Sequence, residues 1–269
     1  MKKWTVLAAY FIFVSSALVQ AEEPKKTTFE VGPEIFTHIY SEPGFAREEG
    51  TLYGVVMNAT SHDTWMTAIQ IEIAEGKVDY YGGLMHSDGT TTPLKVYGIT
   101  DYLVDARGLI GPEFNWDGGY GSPYTGIGYR WLRDESSKGG EGGYDRAANY
   151  IYLPVGLTAT FALGNGWSLT PTAEYDWLLY GQQISEFSDI DPGFSDVTNQ
   201  QRDGYGWRIS LAVEKNFGSW GLKIQPFARS WRIKDSDRSE VLFNGAPVGS
   251  GLEPANKTQQ FGLQALFTF

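Results

Sequence analysis

The sequence predicts an all-β protein, an up-and-down antiparallel transmembrane β-barrel of about ten strands, with eight or twelve as the alternatives. Three observations lead there. Apolar residues recur at every second position along most of the chain, as the alternating faces of a strand require. The segments that alternate are joined by gaps that are by turns short and long. The chain also carries 15% aromatic residues and 33 glycines, yet after residue 21 it has no apolar run of the roughly 18 residues that a membrane helix needs.

Residues 1–21, MKKWTVLAAYFIFVSSALVQA, read as a cleaved export signal. Lys2 and Lys3 precede an apolar run from Trp4 to Val14, and Val19-Gln20-Ala21 stands before the acidic Glu22. The run is short for a membrane anchor. There is no cysteine, which excludes a disulfide, a lipid-modified cysteine and a thiolate-bound metal. The net charge is −11, and loss of Lys2 and Lys3 makes it more negative by two, so nothing draws the chain to nucleic acid. Residues 22–27 are read as a short lead-in and 28–269 as a single barrel domain.

The alternating segments are 28–41, 49–60, 65–75, 100–116, 122–134, 148–162, 167–183, 204–217, 220–236 and 258–269. In WMTAIQIEIA, Ile69, Ile71 and Ile73 share one face, and Gln70 and Glu72 share the other. In NYIYLPVGLTATF, Ile151, Leu153, Val155 and Leu157 oppose Tyr150, Tyr152, Gly156 and Thr158. WSLTPTAEYDWLL sets Ala173, Tyr175, Trp177 and Leu179 against Thr172, Glu174 and Asp176. WRISLAVEKNF sets Trp207, Ile209, Leu211 and Val213 against Arg208, Ser210, Ala212 and Glu214. Strand nine is irregular, because Phe227, Trp231 and Ile233 share a parity with Arg229, and a bulge near Pro226 is expected there. Short gaps fall at 61–64, 117–121, 163–166 and 218–219. Longer ones fall at 42–48, 76–99, 135–147, 184–203 and 237–257. Within 76–99, VDYYG and LKVYG would pair as strand extensions rising above the membrane if that span is not a loop.

A soluble sandwich or lipocalin-like barrel has the same period with its apolar face turned inward. Three features favour the membrane form. The segments are long against the ~5–6 residues of ordinary strands. Aromatics sit at strand ends, at Trp65, Trp116, Tyr124, Trp131, Trp167, Trp177, Trp207 and Trp220, where interfacial girdles belong. The polar faces carry charges of both signs.

The last segment, TQQFGLQALFTF, puts Phe261, Leu263, Ala265, Phe267 and Phe269 on one face. This resembles the C-terminal strand of bacterial outer-membrane β-barrel proteins, which finish on Phe behind alternating apolar residues. The likeness in pattern covers the whole chain after the leader and is nearest to porin-like and small OmpA-type barrels. It implies a Gram-negative outer membrane, periplasmic termini and tight turns, and contact with lipopolysaccharide. It also implies insertion by the barrel assembly machinery, which would read Phe261, Leu263, Phe267 and Phe269. A monomer is expected.

Charge on the lipid face would cost roughly 2–4 kcal/mol per Arg or Lys at midplane. The alternation therefore turns Glu30, Glu34, Glu72, Asp101, Asp105, Arg107, Glu113, Arg130, Glu174, Asp176, Arg208, Glu214, Lys223 and Arg229 inward. A lumen network of Glu72, Asp105, Arg107, Arg130, Glu174, Asp176, Arg208 and Glu214 follows, in which Arg107, Arg130 and Arg208 pair with Glu72, Asp105 and Glu174. At this strand number side chains are expected to fill the lumen largely.

Catalytic constellations are scarce. The omptin proteases, also ten-stranded, carry Asp-x-Asp and Asp-x-His. The sequence holds Asp189-Ile190-Asp191 and Asp235-Ser236-Asp237 but no Asp-x-His, and its histidines are His38, His62 and His86. A lipid A deacylase would need His-x-Ser, which HIYS (38–41) and His86-Ser87 both miss. A site at His38 with Glu34 is the most testable enzymatic form. The acidic stretches 188–196 and 234–240 offer oxygen ligands without calcium-loop spacing and read as solvated loop. The expectation is a non-enzymatic, cofactor-free barrel with a structural or surface-interaction role. A narrow porin-like channel is the first alternative, and an outer-membrane hydrolase or lipid-modifying enzyme the second.

Overall fold

A computed structural model describes residues 27–85, 90–140 and 142–269; the expected leader lies outside them. Ten strands form the wall: β1 (Thr27–Glu42), β2 (Ala46–Ser61), β3 (Trp65–Met85), β4 (Thr91–Pro112), β5 (Gly119–Asp134), β6 (Arg146–Gly164), β7 (Trp167–Ser185), β8 (Gly204–Asn216), β9 (Gly221–Ile233) and β10 (Asn256–Thr268). Each pairs antiparallel with the next, and β10 returns to β1 over Glu30↔Thr268 to Ser41↔Lys257. Phe29 and Phe269 exchange backbone hydrogen bonds of 3.3 and 2.8 Å at the seam. The ring therefore closes with its first and last strands side by side. Three tight turns, 62–64, 165–166 and 217–220, lie at the end where β1 starts and β10 finishes, which is the end expected to face the periplasm.

The parity read from sequence holds around the ring. Ile69, Ile73, Val155, Leu157, Trp177, Leu179, Ile209 and Leu211 are exposed on the outer wall, while Glu72, Glu174, Asp176 and Arg208 are buried inside. Phe261, Leu263, Phe267 and Phe269 face outward at 43 to 53% exposure. Outward Phe29, Trp65, Trp167 and Trp220 mark one interface, and Tyr129, Trp177 and Tyr180 the other. Tyr124 does not belong to a girdle. It points inward and is buried, its hydroxyl donating to Glu174.

The loops differ more. The expected loop 42–48 shortens to the turn 43–45, because β1 and β2 stay paired up to Glu42↔Ala46. Within 76–99 the described residues also continue as strand, up to Met85 and again from Thr91. Tyr80↔Val96, Tyr81↔Lys95 and Gly82↔Leu94 carry the β3–β4 ribbon past the wall, with a register shift between Val78 and Tyr80. His86 lies outside the described residues. The span 237–257 contains a hairpin, Ser239–Phe243 with Ala246–Gly251. Its turn is Asn244-Gly245, both at positive φ, the pair that a two-residue hairpin turn demands. Phe243 rests edge-on against Phe194, 4.9 Å between ring centres. Val197–Gln201 pairs with Gly181–Ser185 and prolongs the wall above β8.

No bulge occurs near Pro226. β9 runs without register shift against both neighbours, so Phe227, Trp231 and Ile233 do face the lumen with Arg229. The interior accepts them because it is partly aromatic. Arg229 lies 4.0 Å above the Phe227 ring, and Trp231 packs on Tyr150 and Tyr152. The irregular strand is β7 instead, where the register slips and both Leu179 and Tyr180 are exposed.

These inward rings need room, and glycine supplies it. The Tyr152 ring covers Gly128, and the Tyr124 ring covers Gly156, so closely that a Cβ at either position would overlap the ring. We expect Gly128→Ala to force Tyr152 off its seat and lower stability by about 1–3 kcal/mol, the usual cost of overpacking. Urea unfolding of the refolded protein measures it, and an unchanged midpoint would show that the ring moves freely.

Candidate functional site

Antiparallel pairing brings inward residues of distant strands to one height. Asp105 and Arg130 are cross-strand neighbours on β4 and β5, as are Glu174 and Arg208 on β7 and β8. Across the lumen, Arg208 donates to Asp105 at 2.6 Å and to Asp176 at 3.1 Å, and lies 3.3 Å from Glu174. It also meets the Tyr152 hydroxyl at 2.9 Å, which in turn donates to Asp105 at 2.7 Å. Arg107 pairs with Glu174, whose other oxygen accepts from Tyr124 at 2.8 Å. Arg130 reaches Asp105 at 3.4 Å. Arg229 bridges Glu72 and Glu34, with Glu34 at 3.1 Å, and Gln264 donates to Glu34 at 3.0 Å. Four guanidinium groups and five carboxylates thus span the barrel, and all but the partly exposed Arg107 are more than nine-tenths buried.

Of the arginines and carboxylates expected to pair with one another, Arg107 meets Glu174, Arg130 meets Asp105, and Arg208 meets both Asp105 and Glu174. Glu72 pairs with Arg229 and not with one of those three arginines. Glu214 stands apart from the layer, 3.7 Å from Lys223, which also pairs with Glu30 near the periplasmic mouth. Glu113 meets His62 there at 2.6 Å. Glu34, Arg229, Tyr124 and Tyr152 complete the layer. The inward parity of Glu34, Arg229 and Tyr152 was legible, whereas Tyr124 was expected in a girdle, and which charges meet across the lumen was not legible.

The lumen is filled only in its outer half. Below the layer a cavity of about 1190 Å³ runs to the periplasmic mouth, whereas the cavity next to the layer on its outer side holds about 50 Å³. The expectation of a largely filled interior fails below because the inward residues there are short: Ala68, Thr158, Thr160, Ser168, Thr170, Thr172 and Ser210.

Beyond the level of outward Glu49, Glu75 and Arg133, the wall stands clear of the apolar band and encloses a second cluster. Arg146 reaches Glu42 at 3.1 Å, Asp134 at 3.0 Å and also Glu48. Tyr40 donates to Glu42 at 2.8 Å and to Glu253 at 3.1 Å. Burial pushes Glu48 and Glu253 up to about 7, against the pull of Arg146, and raises Asp101 and Asp134 as well. Outside this chamber, Arg133 binds Asp145 at 2.9 Å and also Glu186. Asp189 joins those two carboxylates in a group close enough to share a cation. Sequence missed it because its members come from separate loops.

The catalytic candidates are dispersed. His38 is buried against Gln260, 3.0 Å away, while Glu34 belongs to Arg229. Asp191 accepts from Gly193 and Asp196 from Ser188, which shapes the 188–196 loop. Asp235 accepts from Ala255, and Asp237 lies 3.5 Å from exposed Arg202.

No protein-family model matches the chain, and no curated protein matches it. Solved structures do. The outer membrane protease OmpT from Escherichia coli superposes with a TM-score of 0.58 at 12% identity, over 90% of this chain and 95% of that one. The Pseudomonas putida toluene transporter TodX is similar at 0.34 and 10%, over 91% and 89%. The β domain of the Bordetella autotransporter BrkA is similar at 0.33 and 12%, over 88% and 99%. The chain has the fold of bacterial outer-membrane β-barrel proteins.

Two expectations follow. Arg229→Ala leaves Glu34 and Glu72 buried without their cation and should cost about 3–5 kcal/mol; a loss below 1 kcal/mol in urea unfolding would show the pair to be hydrated. For the outer cluster the sign is set by raised carboxyl pKa values. A carboxyl raised in the folded state contributes stability that is present below its unfolded value near 4.5 and is lost as pH climbs through about 7. Amide exchange of the outer ends of β2 and β6 should therefore quicken between pH 5 and pH 8 beyond the intrinsic rate change. Equal protection at both would refute this.

Proposed function

We propose that this chain is an integral protein of the Gram-negative outer membrane that serves as a closed anchor carrying a rigid external rim. The observation that supports it is the buried ion-pair layer, which leaves no open bore at mid-height. Arg, unlike Lys, can hold carboxylates through several nitrogens of one planar group, as Arg208 and Arg229 do, and a layer built on them makes a stiff barrier. The β3–β4 ribbon, the Ser239–Gly251 hairpin and the Arg146 cluster then form an external platform suited to contact with surface partners. Arg232 and Lys257, cross-strand neighbours above the apolar band, supply cations for lipopolysaccharide phosphates. The outward Phe261, Leu263, Phe267 and Phe269 support entry through the barrel assembly machinery. A ring with all ten wall strands paired fits a monomer. This reading assigns no catalytic step.

A narrow channel is the second reading, favoured by the cavity of about 1190 Å³ beneath the layer. Planar-bilayer recording of the refolded protein separates the two. The anchor reading expects outer-membrane fractionation, heat-modifiable migration and no steady conductance. Steady single-channel currents from the wild type would overturn it.

A further inference from the structure

The lumen holds two compartments, and one long ion pair reaches from one to the other. Asp105 lines the large inner cavity, Arg130 lines the small outer one, and the two meet at 3.4 Å. The arginines of the layer are not held equally. Arg208 bonds to Asp105, Asp176 and the Tyr152 hydroxyl. Arg229 bonds to two carboxylates and lies on Phe227. Arg130 has the one long bond to Asp105, and its buried Nη2 has no acceptor in the protein. If Arg130 swings away, Asp105 keeps Arg208 and Tyr152, so the rest of the layer stays assembled.

The outer compartment has a sign. Glu48, Asp101 and Asp134 line it with Arg130, Arg146 and Arg133, whose head group turns away to Asp145 and Glu186, and Glu42 and Glu253 stand behind. Asp101 is 6% exposed, and its Oδ1 is buried without a donor. Once ionised, these five carboxylates outnumber the arginines they face, so above the pH near 7 at which Glu48 and Glu253 lose their protons a small cation entering from outside is favoured and an anion is repelled. Inside the partition, Glu72, Asp105 and Glu174 line the inner cavity, which leads to the periplasmic mouth.

We propose that Arg130 is the gate of a narrow path for small monovalent cations: rotation of its side chain alone joins the two compartments, with no change in the barrel wall. The inference rests on the reading of the lumen as closed in the present conformation. A side chain turning about its own torsions moves far faster than the wall could rearrange, so such a gate would flicker.

The test is planar-bilayer recording in KCl of the wild type, Arg130→Ala and Arg130→Gln, each first shown to be folded by heat-modifiable migration. The two substitutions differ in the volume they remove, so one remains informative if the other does not fold. We expect the folded variants to conduct about tenfold or more above the wild type, a change that corresponds to about 1.4 kcal/mol off the barrier. Under a KCl gradient the reversal potential should show K⁺ preferred over Cl⁻. Adding Glu48→Gln and Asp101→Asn should weaken that preference while the conductance stays high. A closed wild type with a closed, folded variant overturns the gate and leaves the anchor reading standing. A conducting wild type that still gains tenfold on loss of Arg130 overturns the anchor reading and upholds the gate. Preference for Cl⁻ overturns the cation path.

Discussion

Closure of β10 onto β1 is the constraint from which the rest follows. In lipid an unpaired strand edge leaves backbone N–H and C=O groups with no partner, at several kcal/mol each, so a spanning sheet must become a ring. Here the seam is paired from Glu30↔Thr268 to Ser41↔Lys257. Once the ring is closed, each strand has one face to lipid and one to a confined interior. Within the apolar band, charges are then assigned to the interior by parity alone.

Confinement in turn decides what the charges do. An ionised group in a narrow lumen has little water, and its desolvation is offset only by a partner of opposite sign with good geometry. The layer meets that demand with bonds from Arg107, Arg208 and Arg229 and with the hydroxyls of Tyr124 and Tyr152. Those rings fit because Gly128 and Gly156 leave space beneath them. Packing and electrostatics are thus one arrangement here: a methyl group added to the wall at Gly128 would displace a hydroxyl that holds Asp105.

The contrast between the two halves has the same root. Below the layer, threonines and serines satisfy their own needs, as in Thr158 with Thr172 and Thr160 with Thr170, and leave the bore wide. Above it, long side chains converge from strands that continue past the membrane, and a single Arg146 serves several carboxylates. Such an excess of buried acid favours protonation, and stiffness at the outer rim becomes a function of pH.

Much was legible in the sequence because a strand's period is local. The alternation placed all ten wall strands, the outward face of Phe261 to Phe269 and the inward face of every charge in the layer. The Asn244-Gly245 pair marked a hairpin that could have been read. Local pattern could not say which charges meet, since Arg229 and Glu72 are 157 residues apart and are joined only by the curvature of the ring. Nor could it place the break in β7 at Leu179–Tyr180, foresee that Phe227 and Trp231 would be tolerated inside, or show that the lumen is open below and closed above. Those depend on the volume left when opposite walls meet. The residues fixed which way each side chain faces; only the closed ring decided what each one finds there.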